Sequence, residues 1–188
     1  QFTKGLSKVQ KKQIPFATAQ AINNTLFGLK KEMAKQTVKK LDRPTPFTQK
    51  GFLIDKAKKT KQIGVLRIKS EVADYLKWQI DGGVKSGAKK IPVPITKNKR
   101  LNKFGNIAGK RTGLVKGKKE FIATIGGATG VWKQGRKGQQ PTLLIKFHDS
   151  VKYDKKPFDF YKIGKSYINN TYDRQFKKSL IKALRSAK

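Results

Sequence analysis

The sequence lacks cysteine altogether and has a single histidine among its 188 residues. Without cysteine, disulfides and thiolate metal sites are excluded. The histidine, His148, has no second histidine and no cysteine with which to complete a metal site or a catalytic triad. We interpret His148 as a hydrogen-bonded or surface side chain, and the sequence predicts no metal site.

Acidic residues are almost as scarce, because only eleven Asp and Glu are present and they are dispersed one or two at a time. Catalysis would require paired carboxylates, a nucleophile with its base, or a metal cluster. An enzyme remains an alternative only if folding gathers in one pocket two or more of five acids, namely Asp55, Glu71, Asp74, Asp81 and Asp149. The sequence otherwise predicts no enzyme, no cofactor and no small-molecule substrate.

Long hydrophobic runs are also missing, and no segment approaches the length needed to cross a bilayer. The N-terminal extension, residues 1–12, is polar and basic and carries no hydrophobic signal segment. We therefore expect no membrane partner and no Sec-type secretion. The first residue is Gln and not Met, so further residues can precede it in the encoded chain.

Positive charge is present in large excess: 45 Lys and Arg face 11 acids, for a formal net charge of +34. A charge of this size promotes association with polyanions such as nucleic acid or an anionic partner surface. Arg supplies seven of the 45 and Lys the other 38. Lys is a hydrated point charge, whereas Arg is preferred for bidentate reading of bases. The excess predicts diffuse attraction without sequence readout, or it reflects codon bias in an AT-rich genome.

Two long amphipathic helices are predicted at the two ends of the chain. The first opens at Ile14-Pro15, spans about six or seven turns, and is stopped by the prolines at 44 and 46. The second runs from Phe158 to Ala187 and ends in a basic tail. A shorter helix is predicted over residues 70–80. The Asn23-Asn24-Thr25 match to the glycosylation pattern falls on the first helix, and we interpret it as chance.

Strands are indicated between the helices by two-residue alternation of apolar side chains. Residues 47–69 predict a hairpin or an adjacent strand pair. Residues 121–125, 131–133 and 143–147 predict a three-stranded antiparallel meander. The predicted fold is α+β, a small antiparallel sheet packed with the two long helices, and residues 1–188 are expected to form one domain.

Residues 84–119 predict a long basic insertion, rich in loops and glycine. Only Ile91 to Ile95 looks extended there, and its alternating prolines confine it to an edge strand or an unpaired segment. Aromatic residues for stacking bases are nearly absent, so the insertion supports contact with a phosphate backbone or with a partner protein and nothing more specific. The candidate contact residues are Lys89, Lys90, Lys97, Lys99, Arg100, Lys103, Lys110, Arg111, Lys116, Lys118 and Lys119.

The two tryptophans are candidate interface aromatics. Trp78 falls in the predicted helix 70–80 and Trp132 in the second strand of the meander. Each can anchor a partner or stack on a base. A tryptophan in a patterned element is more often part of the core, and that alternative stays open for both.

Six short blocks resemble the tail-completion and minor tail protein Z family of tailed bacteriophages, and together they span nearly the whole chain. The first two are Ile14 to Asn23 in the N-terminal helix and the Pro-containing block Asp42 to Thr48. The others are Tyr75 to Gly83, Gly130 to Arg136, Pro141 to Ile145, and Phe158 to Tyr161.

The resemblance implies a structural virion protein at the neck or the head-proximal end of the tail, made in the cytoplasm of the host bacterium. Such a subunit forms a homo-oligomeric ring, expected to be a hexamer, and contacts other neck and tail proteins in the head-tail connection. The family supplies no catalytic residues to carry over. Packaged DNA, contacted through its backbone, is a further partner. The alternative is a ribosomal or nucleoid-like protein that binds nucleic acid without sequence specificity.

Overall fold

The computed structural model describes residues 12–95, 101–107, 115 and 119–186, and it confirms the α+β class. The sequence predicts one domain, whereas the chain groups into two compact units. We call Gln1–Ile80 with Pro157–Lys188 the helical unit and Asp81–Lys156 the sheet unit. Each is described by itself.

The first helix, α1, spans Ile14–Lys40 and confirms the predicted N-terminal helix. Pro15 lies in its first turn, where the missing N–H is not needed, and Lys39 and Lys40 lie in its last turn, where the helix dipole favours cations. One stripe of α1 is buried and includes Leu26, Leu29 and Met33. This stripe is the largest contribution of one element to the core of the helical unit.

The last helix, α4, spans Phe160–Arg185 and packs along α1. The Asp159 carboxylate caps it by accepting a 2.9 Å hydrogen bond from the Lys162 N–H. Its buried positions are small, Thr171, Ser179 and Ala183. Small side chains let two helix backbones approach closely, and the larger Phe160, Ile163 and Tyr167 of this helix pack at the margin of the core cluster.

Three shorter elements complete the helical unit, together with a one-turn helix. Strands β1, Phe52–Asp55, and β2, Val65–Ile68, form an antiparallel pair as predicted. Helix α2 is the turn Pro46–Gln49, and helix α3 is Ser70–Ile80. The core gathers side chains from α1, β1, α3 and the segment before α4, and its buried members are Leu26, Leu29, Met33, Phe52, Val72, Leu76 and Phe158.

The sheet unit is one antiparallel sheet with the strand order β3-β6-β5-β4. Strand β4 is Glu120–Ile125, β5 is Ala128–Lys133 and β6 is Thr142–Tyr153, which confirms the meander. Gly126 and Gly127 connect β4 to β5 with φ of +55° and +75°. A two-residue turn with positive φ at both positions matches the twist of a hairpin and strongly favours glycine.

The remaining strand, β3, is Gly83–Pro94, and it corrects the predicted start of the basic loop. Residues 84–90 are predicted to be loop because the segment 84–119 is rich in glycine and in scattered cationic side chains. They form a strand because β6 supplies a long partner, from Gly83 opposite Tyr153 to Pro94 opposite Ile145. The edge position expected for the two prolines is confirmed, since β3 is the outermost strand on its side.

The core of the sheet unit is small. Its buried members are Val131, Leu144 and Ile145, with Ile107 and Phe147 packed against them.

Among the described helices of the chain, none combines the length and the hydropathy that crossing a bilayer requires.

Candidate assembly surface

The predicted basic contact residues fall at several places along the sheet unit. Lys89 and Lys90 lie in β3, Lys103 lies in the turn closed by the Leu101–Ile107 bridge, and Lys119 directly precedes β4. The two lysines of β3 and Lys119 are therefore attached to opposite edges of the sheet. The other predicted contacts lie outside the described residues, namely Lys97, Lys99, Arg100, Lys110, Arg111, Lys116 and Lys118.

The two tryptophans have different surroundings. Trp132 is buried, and its indole N–H donates a 3.0 Å hydrogen bond to the Ala123 carbonyl of the neighbouring strand. Trp78 is half-buried on α3, with the Lys77 ammonium 5.0 Å from its ring centroid. The indole N–H of Trp132 is thus hydrogen-bonded within the sheet, whereas the Trp78 side chain is still partly exposed.

Four of the described acidic residues pair with nearby cations, namely Asp42, Asp55, Asp149 and Asp154. The carboxylates of Asp55 and Asp149 lie 2.8 Å from Arg67 Nε and 3.3 Å from Lys90 Nζ. The hydrogen bond from Arg43 lowers the pKa of the exposed Asp42 carboxyl below its usual value. Within the part of the chain that the structure describes, no group of three or more His, Cys, Asp or Glu could hold a metal ion.

An open apolar groove of about 440 Å³ lies in the helical unit, between α1, α4 and the start of β2. Leu29 and Met33 line it from α1, Val65 from β2 and Ile168 from α4. Lys165 is at its lining, and the described lining residues include no carboxylate and no histidine. The groove offers apolar contact and no acid-base pair.

The edge of the sheet formed by β3 is protected against strand addition. Pro92 and Pro94 have no N–H to donate, and four residues bulge out of register opposite Asp149. That bulge, residues 87–90, carries Lys89 and Lys90, which are exposed. Proline, a bulge and lysine are three devices by which proteins prevent an exposed strand from pairing with another chain.

The opposite edge, formed by β4, has none of these devices. Its residues are Glu120–Ile125, without proline, lysine or arginine, and they pair with β5 in unbroken register. Ile122 exposes 59% of its surface. Of the four described strands of the sheet unit, β4 is the one that contains no cationic residue. A regular edge without proline or positive charge is the kind to which another strand can add.

The hydrogen-bond pattern between β4 and β5 shows which backbone groups of β4 point away from β5 and towards any further strand. The Gln134 N–H donates to the Lys119 carbonyl at 2.8 Å, and hydrogen-bonded pairs alternate along antiparallel strands. The peptide groups of Ile122 and Thr124 therefore face away from β5. In the described parts of the chain, β5 is the one strand that pairs with β4.

The β4 edge is absent from the residues predicted for contact, which were chosen for charge and aromaticity. No local signal in the sequence singles it out, because other segments, such as residues 13–29, also lack lysine. Comparison with protein-family models, with curated proteins and with solved structures found no match to this chain.

Proposed function

We propose that this chain is a structural subunit of a tailed-bacteriophage particle, in the neck or at the head-proximal end of the tail. The sequence blocks that resemble tail-completion proteins support the location. The observation that supports assembly is the β4 edge, which in the described residues carries no proline, bulge or lysine. The opposite edge, β3, carries all three.

The partner that we propose at β4 is a second copy of this chain. Two chains that each carry a formal charge of +34 repel each other, so a contact between them must keep lysines away from the joint. Within Glu120–Ile125 the β4 edge satisfies that condition, since its one charged side chain is the acidic Glu120, and the exposed Lys119 lies just before the strand. Strand addition would pair the outward peptide groups of Ile122 and Thr124.

The small core of the sheet unit supports the same proposal. A cluster of three buried apolar residues, with Trp132 as a further buried side chain, contributes little stabilisation to a four-stranded sheet, and a neighbouring strand would cover further apolar surface such as the exposed Ile122. Pairing of β4 with a second β4 would be isologous and give dimers. A closed ring, expected to be a hexamer, requires β4 to meet a different element of the next copy.

The experiment is electron microscopy of the purified chain, combined with mass spectrometry and antibody labelling of particles from the phage or prophage that encodes it. The proposal expects closed rings of the isolated protein and labelling at the head-tail junction. Particles that lack the chain, although it is present in the cell lysate, would refute the virion assignment.

The alternative is a protein that binds nucleic acid without sequence specificity, and it is favoured by the net charge of +34. That function predicts discrete complexes with duplex DNA or RNA whose affinity falls steeply with salt, together with a particle that lacks the chain. The same labelling experiment therefore separates the two functions.

A further inference from the structure

The loop between β1 and β2 displays a dense group of lysines on an ordered turn. Lys56, Lys58, Lys59 and Lys61 are all exposed. The Lys58 N–H donates to the Lys61 carbonyl at 2.9 Å, and the Lys61 N–H donates back to the Lys58 carbonyl at 3.1 Å. We call residues 56–61 the lysine turn.

The lysine turn is fixed to α1 by a side-chain amide. The Asn23 amide donates to the Ala57 carbonyl at 3.0 Å, and its oxygen accepts from the Ala57 N–H at 2.8 Å. Ala57 is buried by this contact. Beyond the turn, Gly64 approaches α1 so closely that a Cβ there would collide with Ile22 and Leu26. Both ends of the loop are therefore held on the helix.

Two of the lysines are also placed by aromatic rings of α1. The Lys59 ammonium lies 5.4 Å from the ring centroid of Phe16, and the Lys56 ammonium lies 5.4 Å from that of Phe27. Cation-π contacts at exposed sites are weak, but they orient the ammonium groups. Phe16 and Phe27 are eleven residues apart, so the helix positions of the two rings that hold these ammonium groups are about 16 Å apart along α1.

The row of charge continues along the helix. Lys31 is exposed one turn beyond Phe27 on the same face, which extends the row to about 22 Å. The nearest acids in sequence are already engaged, because Asp55 pairs with Arg67 and Glu32 accepts a hydrogen bond from Gln36. In the described residues, none of the four lysines of the turn forms an ion pair.

We infer that the lysine turn and the adjoining face of α1 bind the phosphate backbone of duplex nucleic acid. Four like charges within six residues repel one another, and the Asn23 clamp holds them together on a rigid support. Such an arrangement gains free energy when a polyanion releases its counterions. The inference concerns the helical unit and is separate from the assembly proposed at β4.

The chemistry of the surface favours a duplex over a single strand or a compact anion. Single-strand binders stack bases on open aromatic faces, whereas Phe16 and Phe27 are approached by lysines. Base reading relies on bidentate groups such as Arg, and the turn carries only Lys. A set of charges spread along about 22 Å of the axis of α1 exceeds a single phosphate group and suits an extended backbone.

The test measures binding of the full chain to a fluorescent mixed-sequence duplex of about 20 base pairs between about 50 and 200 mM salt. One variant changes Lys56, Lys58, Lys59 and Lys61 to Gln. The matched control removes the same charge from exposed positions of α4, by changing Lys162, Lys177, Lys178 and Lys182 to Gln. We expect the turn variant to lose about tenfold or more in affinity and the salt slope to fall by about two, with less than about threefold loss in the control.

A second pair of variants tests the support without changing charge. Asn23→Ala releases the turn, and Asn24→Ala changes the exposed neighbour. We expect about threefold weaker duplex binding for Asn23→Ala and no change for Asn24→Ala, with the fold checked by circular dichroism.

Equal losses in the lysine-turn variant and in the α4 control would overturn the inference, because charge alone would then account for binding. So would binding of an acidic protein or peptide that the duplex does not compete away. Sedimentation of the same variants keeps the two proposals apart. The lysine-turn variants leave β4 unchanged and should assemble like the parent, so weaker duplex binding in them cannot be caused by lost assembly.

Discussion

The helical unit and the sheet unit bury very different amounts of apolar surface. The helical unit has seven buried residues in one cluster, with Phe52, Met33 and Leu76 fully enclosed and two further phenylalanine rings packed on Phe52. The sheet unit has three buried residues in its cluster. Internal packing stabilises the first unit, whereas the second presents strand edges and depends more on what adds to them.

The largest expected effect comes from breaking the core of the helical unit. Phe52 is fully buried, with the rings of Phe158 and Phe160 each 6.3 Å from its own. Phe52→Ala should lower the free energy of unfolding by about 3–5 kcal/mol because it leaves a cavity. Urea unfolding followed by Trp78 fluorescence, in a Trp132→Phe background, measures this change.

The control is Phe47→Ala, because Phe47 is 54% exposed. It should change the same transition by about 0.5 kcal/mol or less. Similar losses for the two variants would mean that Phe52 does not sit in a packed core.

A smaller loss is expected from the core of the sheet unit. Ile145 is fully buried between strands, and Ile145→Ala should cost about 2 kcal/mol, at the lower end for such a change, because the cluster is small. Trp132 fluorescence in a Trp78→Phe background reports this unit. The same Ile145→Ala change in the Trp132→Phe background lets Trp78 report the helical unit, and a Trp78 transition that shifts as far as the Trp132 transition would show that the two units unfold as one.

The clamp beneath the lysine turn should contribute less again. Asn23→Ala removes two hydrogen bonds and leaves the buried Ala57 peptide without them, at a cost of about 1–2 kcal/mol. Thermal melting compared with Asn24→Ala measures the difference, and an unchanged melting temperature would contradict the clamp.

The smallest effect on stability is expected at the β4 edge. Thr124→Pro removes an N–H that faces away from β5, so the unfolding free energy reported by Trp132 should fall by about 1 kcal/mol or less. Ala123→Pro removes an N–H that faces β5 and should cost more. Assembly should be lost in Thr124→Pro although the fold is kept, and sedimentation of the folded variant checks this.

Local patterns made much of this fold predictable. The apolar spacing in Ile14–Lys40 and in Ser70–Ile80 predicted both helices, and the second of them buries Val72 and Leu76. The alternation around Trp132 predicted the meander, and the prolines of β3 predicted its edge position. Each of these signals lies within a few neighbouring residues.

The rest depends on partners distant in sequence. The N-terminal half of β3 has no apolar alternation and becomes a strand because β6 lies beside it. Asn23 was interpreted only as part of a chance match to the glycosylation pattern. Its two hydrogen bonds to Ala57, 34 residues later, depend on the folded chain. The β4 edge was missed because neither positive charge nor tryptophan marks it. The order of the strands, which decides which strands lie at an edge, is a property of the whole sheet.

The measurement that tests the account most directly is sedimentation velocity of the 21.2 kDa chain beside two matched edge variants. Ile122 and Val84 are both exposed apolar residues on edge strands, at 59% and 54%, and each variant to Lys adds one positive charge. If copies of the chain join through the β4 edge, the parent and Val84→Lys form a concentration-dependent oligomer, and Ile122→Lys is a monomer. A parent that stays monomeric at all concentrations, or an Ile122→Lys variant that assembles like the parent, would contradict this mode of assembly.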